Sequence, residues 1–368
     1  MTATAARSTG GDHLGGRDVV AGEELPAPAR LGAAWLLAGF AAVVVAVLVG
    51  VSSGPVGIAP ARVVLELVDR LPGVTVDSGL SASEQAIVWD LRAPRVALGL
   101  LVGALLASSG AAYQGVFRNP LADPYLLGIA AGAGLGATLA IVADLGDATG
   151  LLDAVPLAAF VGALLAVAAA GMLSTGRGRV GSPATLILAG VAVASFLTAV
   201  QTYVQQRHTD SLRQVYAWIL GRLSTSGWDE VVLLLPYAVV CGAVLLAAVG
   251  ALDVLAVGDD EASSLGLRPR RVRWVVLVAA SLGAAAAVAV SGLIAFVGLI
   301  VPHAVRMVAG VSHRRVVPLS MLFGAAFLAL TDVAARTIQA PAELPIGVIT
   351  AFLGAPFFLL ILRRQAAS

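Results

Sequence analysis

Two arginines three residues apart, Arg92 and Arg95, and a third at Arg336 each stand at the end of an apolar run. A guanidinium is a rigid fork of donors that grips a carboxylate through two parallel, charge-assisted bonds. The plain alternative is that such arginines anchor helix ends by snorkelling to an interface. The acidic counterpart is Asp259-Asp260-Glu261, inside the polar stretch 258–267 between two apolar segments. Acids in succession favour a helix start through its dipole, and Gly266 is suited to end it. Ala262 and Leu265, spaced i and i+3, share one face of that turn. Bond-making chemistry has little to work with. All 23 basic residues are Arg, so there is neither a phosphate-loop lysine for ATP nor a lysine for a Schiff base. One cysteine, Cys241, and four histidines supply no recognisable metal spacing or nucleophile set. A net charge of +1 gives no ground for nucleic-acid binding.

The elements that must carry these residues are set by composition. Of 368 residues 59% are hydrophobic and 12% charged, and the mean hydropathy is +0.93. That is about half the charge of a soluble domain, too little to solvate the surface of an ordinary cytosolic enzyme. A membrane helix needs roughly 20 apolar residues. Runs of that kind fall near 31–51, 93–115, 122–143, 151–173, 184–204, 230–250, 273–291, 294–309, 316–336 and 344–362. These segments are apolar all round rather than alternating, so the fold class is all-α and polytopic, with about ten transmembrane helices. The run at 294–309 is short and holds Pro302 and His303, which predicts a tilted or broken helix. His303 itself is expected to be a structural, hydrogen-bonded histidine. Residues 1–30 mix charge with Gly, Ala and Pro and read as a disordered cytoplasmic tail, ahead of a membrane domain over 31–365.

Orientation follows from the arginines. With the N-terminus inside, 15 of them face the cytoplasm and 8 the exterior, so both termini are expected inside. Gly128, Gly132 and Gly136, every fourth residue, predict close helix packing. An echo, Ser109-Gly110 before Pro120 and Ser291-Gly292 before Pro302, is compatible with an inverted repeat. Asp332 and Glu343 are expected to pair with Arg336.

From Leu91-Arg92-Ala93-Pro94-Arg95 through Gln114 to Phe117-Arg118-Asn119-Pro120-Leu121-Ala122-Asp123-Pro124, the chain resembles the FecCD-type permeases of ABC importers for iron–siderophore complexes, haem and cobalamin. Leu188-Ala189-Gly190-Val191-Ala192, Trp218-Ile219-Leu220-Gly221, Gly298-Leu299-Ile300-Val301-Pro302-His303 and Ala342-Glu343-Leu344-Pro345-Ile346-Gly347 follow in order at the family's spacing. The resemblance covers about residues 35–365. It implies the cobalamin-importer-like, type II permease fold and a dimer with an identical or closely related second permease subunit. It also implies two cytoplasmic ATPase subunits and an external substrate-binding protein. ATP and magnesium would then sit on the ATPase, and this chain would bind no cofactor and no metal.

The same resemblance assigns roles. Arg92, Arg95 and Arg336 would receive glutamates of the binding protein at the external mouth. Asp260, Glu261, Ala262, Leu265 and Gly266 would belong to the coupling loop seated in the ATPase, with Ala262 and Leu265 as its apolar contacts. Asn119 and Leu121 would form one cytoplasmic gate, Pro183 and Ala184 another. The last pair departs from the hydroxyl residues of the cobalamin importer, which argues against cobalamin as cargo. A permease subunit in the cell membrane carrying an iron chelate, foremost a ferric siderophore, is the leading expectation, and it would not itself be an enzyme. Haem comes next and cobalamin third. An ion-coupled secondary transporter would instead place acids near the bilayer midplane, whereas the acids here gather at helix ends and loops.

Overall fold

A helix that is apolar on every side belongs in the middle of a bundle, and Ala93–Phe117 is such a helix: each residue from Leu105 to Phe117 is buried. The computed structural model describes residues 31–70, 73, 75–145, 153–174, 183–224 and 227–366. In chain order the helices are α1 (Ala33–Ser52), α2 (Pro60–Asp69), α3 (Ala82–Ala86), α4 (Ala93–Phe117), α5 (Ile129–Val142) and α6 (Ala154–Ser174). They continue with α7 (Pro183–Arg207), α8 (Leu212–Ile219), α9 (Asp229–Val257), α10 (Asp259–Ser264) and α11 (Pro269–Ser291). The last three are α12 (Val297–Ala309), α13 (His313–Thr337) and α14 (Ile346–Ala366). Around α4 stand α13, α11, α9 and α12, with α1 outside on α13 and the pair α5–α6 to one side.

Seven of these helices are long and apolar enough to cross a bilayer, and three apolar ones, in α5, α12 and α14, are shorter. Each of the ten apolar runs of the sequence contains one of them. Two runs differ in detail. The run from 122 opens with a 3-10 turn, Pro124–Leu127, closed by Gly128 at φ +84°, before α5 begins. Gly128 is therefore a turn residue. Gly132 and Gly136 do face a neighbour, since a Cβ on either would strike the α6 backbone at Gly162 or Ala158. The echo does not mark equivalent positions: Ser109 lies within α4 while Ser291 ends α11, and Pro120 lies in a turn while Pro302 is inside α12. The tail expected over 1–30 lies outside the described residues.

Polar side chains on α4 stitch the bundle where lipid-like surroundings offer no water. Ser109 Oγ donates to the Ala280 carbonyl at 2.9 Å, and the Tyr113 hydroxyl meets Ser281 Oγ at 2.5 Å. Gln114 Nε2 donates to the Gly298 carbonyl at 3.0 Å, while its Oε1 accepts from Arg306. His303 departs from expectation: its buried Nδ1 has no hydrogen-bond partner among the described residues, and the ring instead stands edge-on to Phe357 at 6.0 Å between centroids.

Between α1 and α4 the chain builds a small cap with its own core of Val51, Ile58, Val63, Leu80, Val88 and Val96. Glu66 is buried beneath it and accepts from Ser78 Oγ at 2.6 Å and Trp89 Nε1 at 2.9 Å.

Candidate functional site

At about 1.5 Å per residue the 25 residues of α4 span about 37 Å, so its two ends define two opposite faces. The arginine face gathers the ends of α1 and α13 around the start of α4. The last carbonyls of a helix have no partner within it and carry the negative end of its dipole, and α1 ends here between two guanidinium groups. Arg92 Nη1 donates to the carbonyls of Val51 and Ser52, both at 3.0 Å, and Nη2 to that of Val56 at 2.5 Å. Arg336 donates to Gly50 at 2.6 Å and Ser53 at 3.2 Å. Both side chains are 5% exposed. They cap α1 and are closed to an incoming carboxylate in this conformation.

Arg95 is different. Asp332, buried on α13, holds its inner side through Nε at 3.0 Å and Nη2 at 2.8 Å. Its outer edge binds Glu343 in a two-bond fork, Nη1–Oε1 at 2.8 Å and Nη2–Oε2 at 3.0 Å. Bonding from Arg95 holds the Glu343 carboxyl below the ordinary carboxylate range. The expected pairing with Arg336 holds for Asp332, whose Oδ2 lies 3.4 Å from Arg336 Nε while the same carboxylate also binds Arg95. It is corrected for Glu343, whose ion-pair partner among the described residues is Arg95.

The opposite face is organised by Asp259, the first residue of α10. It accepts from Arg273 of α11 at 2.7 Å and 2.5 Å and from Arg118, at the end of α4, at 2.5 Å. These arginines, Arg273 foremost, hold its carboxyl below the usual range. Arg118 sits at φ +50° as the cap of α4, and its Nε reaches the Leu255 carbonyl of α9 at 2.7 Å. Three bilayer-scale helices and α10 therefore meet at one clamp. Gly266 closes α10 at φ +82°, with the Leu267 N–H donating to the Ala262 carbonyl at 3.0 Å. Asp260 and Glu261 are exposed. Ala262 is fully buried within the chain whereas Leu265 is 72% exposed, which corrects their pairing as two outward contacts. Ala262 seats the turn, and Leu265 is its free apolar knob.

Beneath α10 lies a cavity of about 700 Å³, with Gln114, Arg118, Asn119, Leu265, Arg306 and His313 in its wall. Asp253 of α9 caps the start of α13 there, accepting from Ser312 Oγ at 2.7 Å and from the His313 N–H at 2.5 Å. Asn119 Oδ1 accepts from the Leu121 N–H at 2.9 Å in the turn after α4, and Leu121 is half exposed. Ala184 is exposed in the first turn of α7, which Pro183 opens. Gly181 and Ser182 lie outside the described residues.

One feature went unseen in the sequence. Ser195, Thr198, Thr202 and Gln206 lie on one exposed stripe of the membrane-length helix α7. Ser195 and Thr202 bond back to carbonyls four residues earlier, both at 2.9 Å, a device that makes hydroxyls tolerable in an apolar setting. Their signal was the i, i+3, i+7, i+11 spacing of polar residues in an apolar run, and hydropathy averaging conceals it. Among the described residues no three His, Cys, Asp or Glu side chains gather as a metal ligand set.

Residues 42–364 match the FecCD transport family. The chain is 44% identical over 287 residues to the cobalamin import system permease protein BtuC of Halobacterium salinarum, covering 78% of this chain and 76% of that one. It is 40% identical over 285 residues to the hemin transport system permease protein HmuU of Yersinia pestis, covering 76% and 84%. A solved structure described as an inward-facing conformation of a metal-chelate type ABC transporter superposes with a TM-score of 0.77 at 28% identity, covering 89% of this chain and 98% of that one.

Proposed function

The chain belongs to the FecCD transport family, the permease subunits of ABC importers, and from that premise we propose that it passes a bulky metal chelate, first of all a ferric siderophore, across the cell membrane by ATP-driven alternating access. The observation that carries this reading is the α10 turn, where Leu265 stands exposed on a segment clamped by Asp259 to Arg118 and Arg273. An apolar knob on a braced mount is what a cytoplasmic ATPase needs in order to push on the bundle. Motion at α10 reaches α4 through Arg118 and α11 through Arg273. The permease makes and breaks no covalent bonds, and hydrolysis belongs to two separate ATPase subunits holding ATP and magnesium.

Arginine counts support the α10 face as cytoplasmic, with both termini on that side. The polar stripe of α7 fits a wall of the path, completed by a second copy or close paralogue. Its uncharged hydroxyls suit a wide passage with little selectivity of its own. Asn119 and Leu121, with Pro183 and Ala184, stand on the α10 side where gates are proposed. On the opposite face an external binding protein would dock through Arg95, the arginine whose outer edge is held by a half-exposed carboxylate, Glu343, and not by backbone carbonyls. Arg92 and Arg336 would support that site by fixing α1 beside it.

Cobalamin is the second reading, favoured by the 44% identity to the Halobacterium salinarum permease. Haem is third. The test is ATP hydrolysis by the reconstituted permease–ATPase complex with its binding protein. Stimulation by a ferric siderophore above that by haem or cobalamin supports the leading cargo, and the reverse ranking assigns the cargo to the chelate that stimulates.

A further inference from the structure

The arginine face holds an odd charge count. Three guanidinium groups, Arg92, Arg95 and Arg336, share one cluster with two carboxylates, Asp332 and Glu343. The two acids are not equivalent. The Asp332 side chain is 3% exposed, grows from the rigid helix α13 and touches two arginines. The Glu343 side chain is 50% exposed, lies on the segment between α13 and α14, and has Arg95 as its ion-pair partner. Glu343 also takes the only edge of Arg95 that Asp332 leaves outward, and it does so with the two-bond geometry that any incoming carboxylate would adopt.

We propose that Glu343 is an in-chain stand-in for a carboxylate of the docking partner, and that docking exchanges it off the outer fork of Arg95. This inference rests on the docking role given to this face above. The exchange replaces one forked ion pair by another, so its cost is small: the two bonds that Arg95 loses from Glu343 it regains from the partner's carboxylate. Asp332 stays in place and keeps Arg95 aimed outward throughout. The excess of cations over anions draws the acidic partner in, because with Glu343 displaced the site holds three positive groups against one negative.

The exchange has a structural consequence. Glu343 ties down the segment that leads into α14, alongside the Leu344 N–H to Ala335 carbonyl bond at 2.9 Å and the Gly347 N–H to Leu220 carbonyl bond at 3.1 Å. Releasing the carboxylate loosens the start of α14 at the moment the partner arrives. Glu343 is therefore a positioning residue that links docking to a membrane helix.

The experiment measures docking of the importer's own purified binding protein, as probe, to the permease–ATPase complex in nanodiscs. Three variants are compared with wild type: Glu343→Gln, Glu343→Asp and Arg95→Gln. Glu343→Gln should tighten docking by about fivefold, the competition of one carboxylate for the outer fork being removed. Glu343→Asp, whose shorter arm holds Arg95 less well, should tighten it by a smaller factor. Arg95→Gln should weaken it. A merely structural Glu343 predicts weaker or unchanged docking in both of its variants, and that result overturns the exchange while leaving docking at Arg95 intact. If Arg95→Gln leaves affinity unchanged, the docking reading itself falls and the exchange falls with it.

Discussion

Arg118 Nη2 lies 2.5 Å from Asp259 Oδ1, so the last turn of the most buried helix is tied directly to the first residue of the exposed turn α10. Arg273 grips the same carboxylate from α11. The coupling element is thereby mounted on the core of the bundle instead of hanging from a loop.

Replacing Leu265 with Asp should leave the membrane fold intact, since this side chain is 72% exposed within the chain. It would place an unpaired charge in the ATPase groove, and burial of such a charge is strongly unfavourable. ATPase co-purification should fall by about tenfold or more. Wild-type recovery of the ATPase and wild-type transport would remove α10 from the coupling role.

Asp259→Asn should loosen the clamp and lower transport per ATP hydrolysed while the ATPase still binds. The pH dependence follows in sign. A carboxyl whose folded pKa is lowered, here chiefly by its bonds from Arg273, contributes stability above its ordinary value near about 4, and that contribution is lost as pH falls through the folded pKa. Coupling in the wild type should therefore be flat in this respect from about pH 8 down to about pH 5. A coupling ratio equal to wild type in the Asn variant would show that the clamp does not transmit motion.

Gly110 of α4 touches the backbone of α12 at Gly298, where a Cβ would overlap the Gly298 carbonyl, whereas a Cβ at Gly57 would meet nothing within 4 Å among the described residues. Gly110→Val should cost at least about 1–3 kcal/mol through overpacking, seen as a lower Tm in detergent. Gly57→Ala should leave Tm unchanged. Equal Tm values for the two variants would mean that α4 and α12 do not approach closely.

Arg92 donates to three carbonyls and, among the described residues, ion-pairs with no carboxylate. Arg92→Met should therefore lower stability by roughly 1.5–3 kcal/mol, the worth of hydrogen bonds to a charged group, without removing the outer fork of Arg95. Thermal unfolding and binding-protein affinity, measured on the same reconstituted sample, separate the two effects. Loss of affinity with unchanged stability would return Arg92 to the docking surface itself.

How much of this the sequence disclosed varies with the physics involved. Apolar runs announced both the seven helices long enough to cross a bilayer and the three shorter apolar ones, because each must satisfy its backbone internally and show lipid or protein an apolar surface. The cap between α1 and α4 was missed although Ser81 and Glu84 spell a capping box, since its helices are short and hold together through tertiary contacts such as Glu66 with Ser78 and Trp89. The turn 258–267 was legible to the residue in its acidic start and glycine end. Its facing was not: Ala262 and Leu265 share a helical face by spacing, yet the folded chain buries one and leaves the other free. The arginines were found by type, while their division between carbonyl caps and a carboxylate fork depends on where α1 and α13 end in space. No spacing along the chain records that.

The central claim is ATP-driven import by a permease that depends on separate subunits, and uptake into proteoliposomes tests it most directly. The vesicles would contain this chain and its partner permease, with the ATPase inside and the binding protein loaded with a radiolabelled ferric siderophore outside. The account predicts accumulation that requires internal ATP and the ATPase, falls to background with Leu265→Asp, and is indifferent to a proton gradient. Uptake driven by a proton gradient in vesicles lacking the ATPase would contradict it.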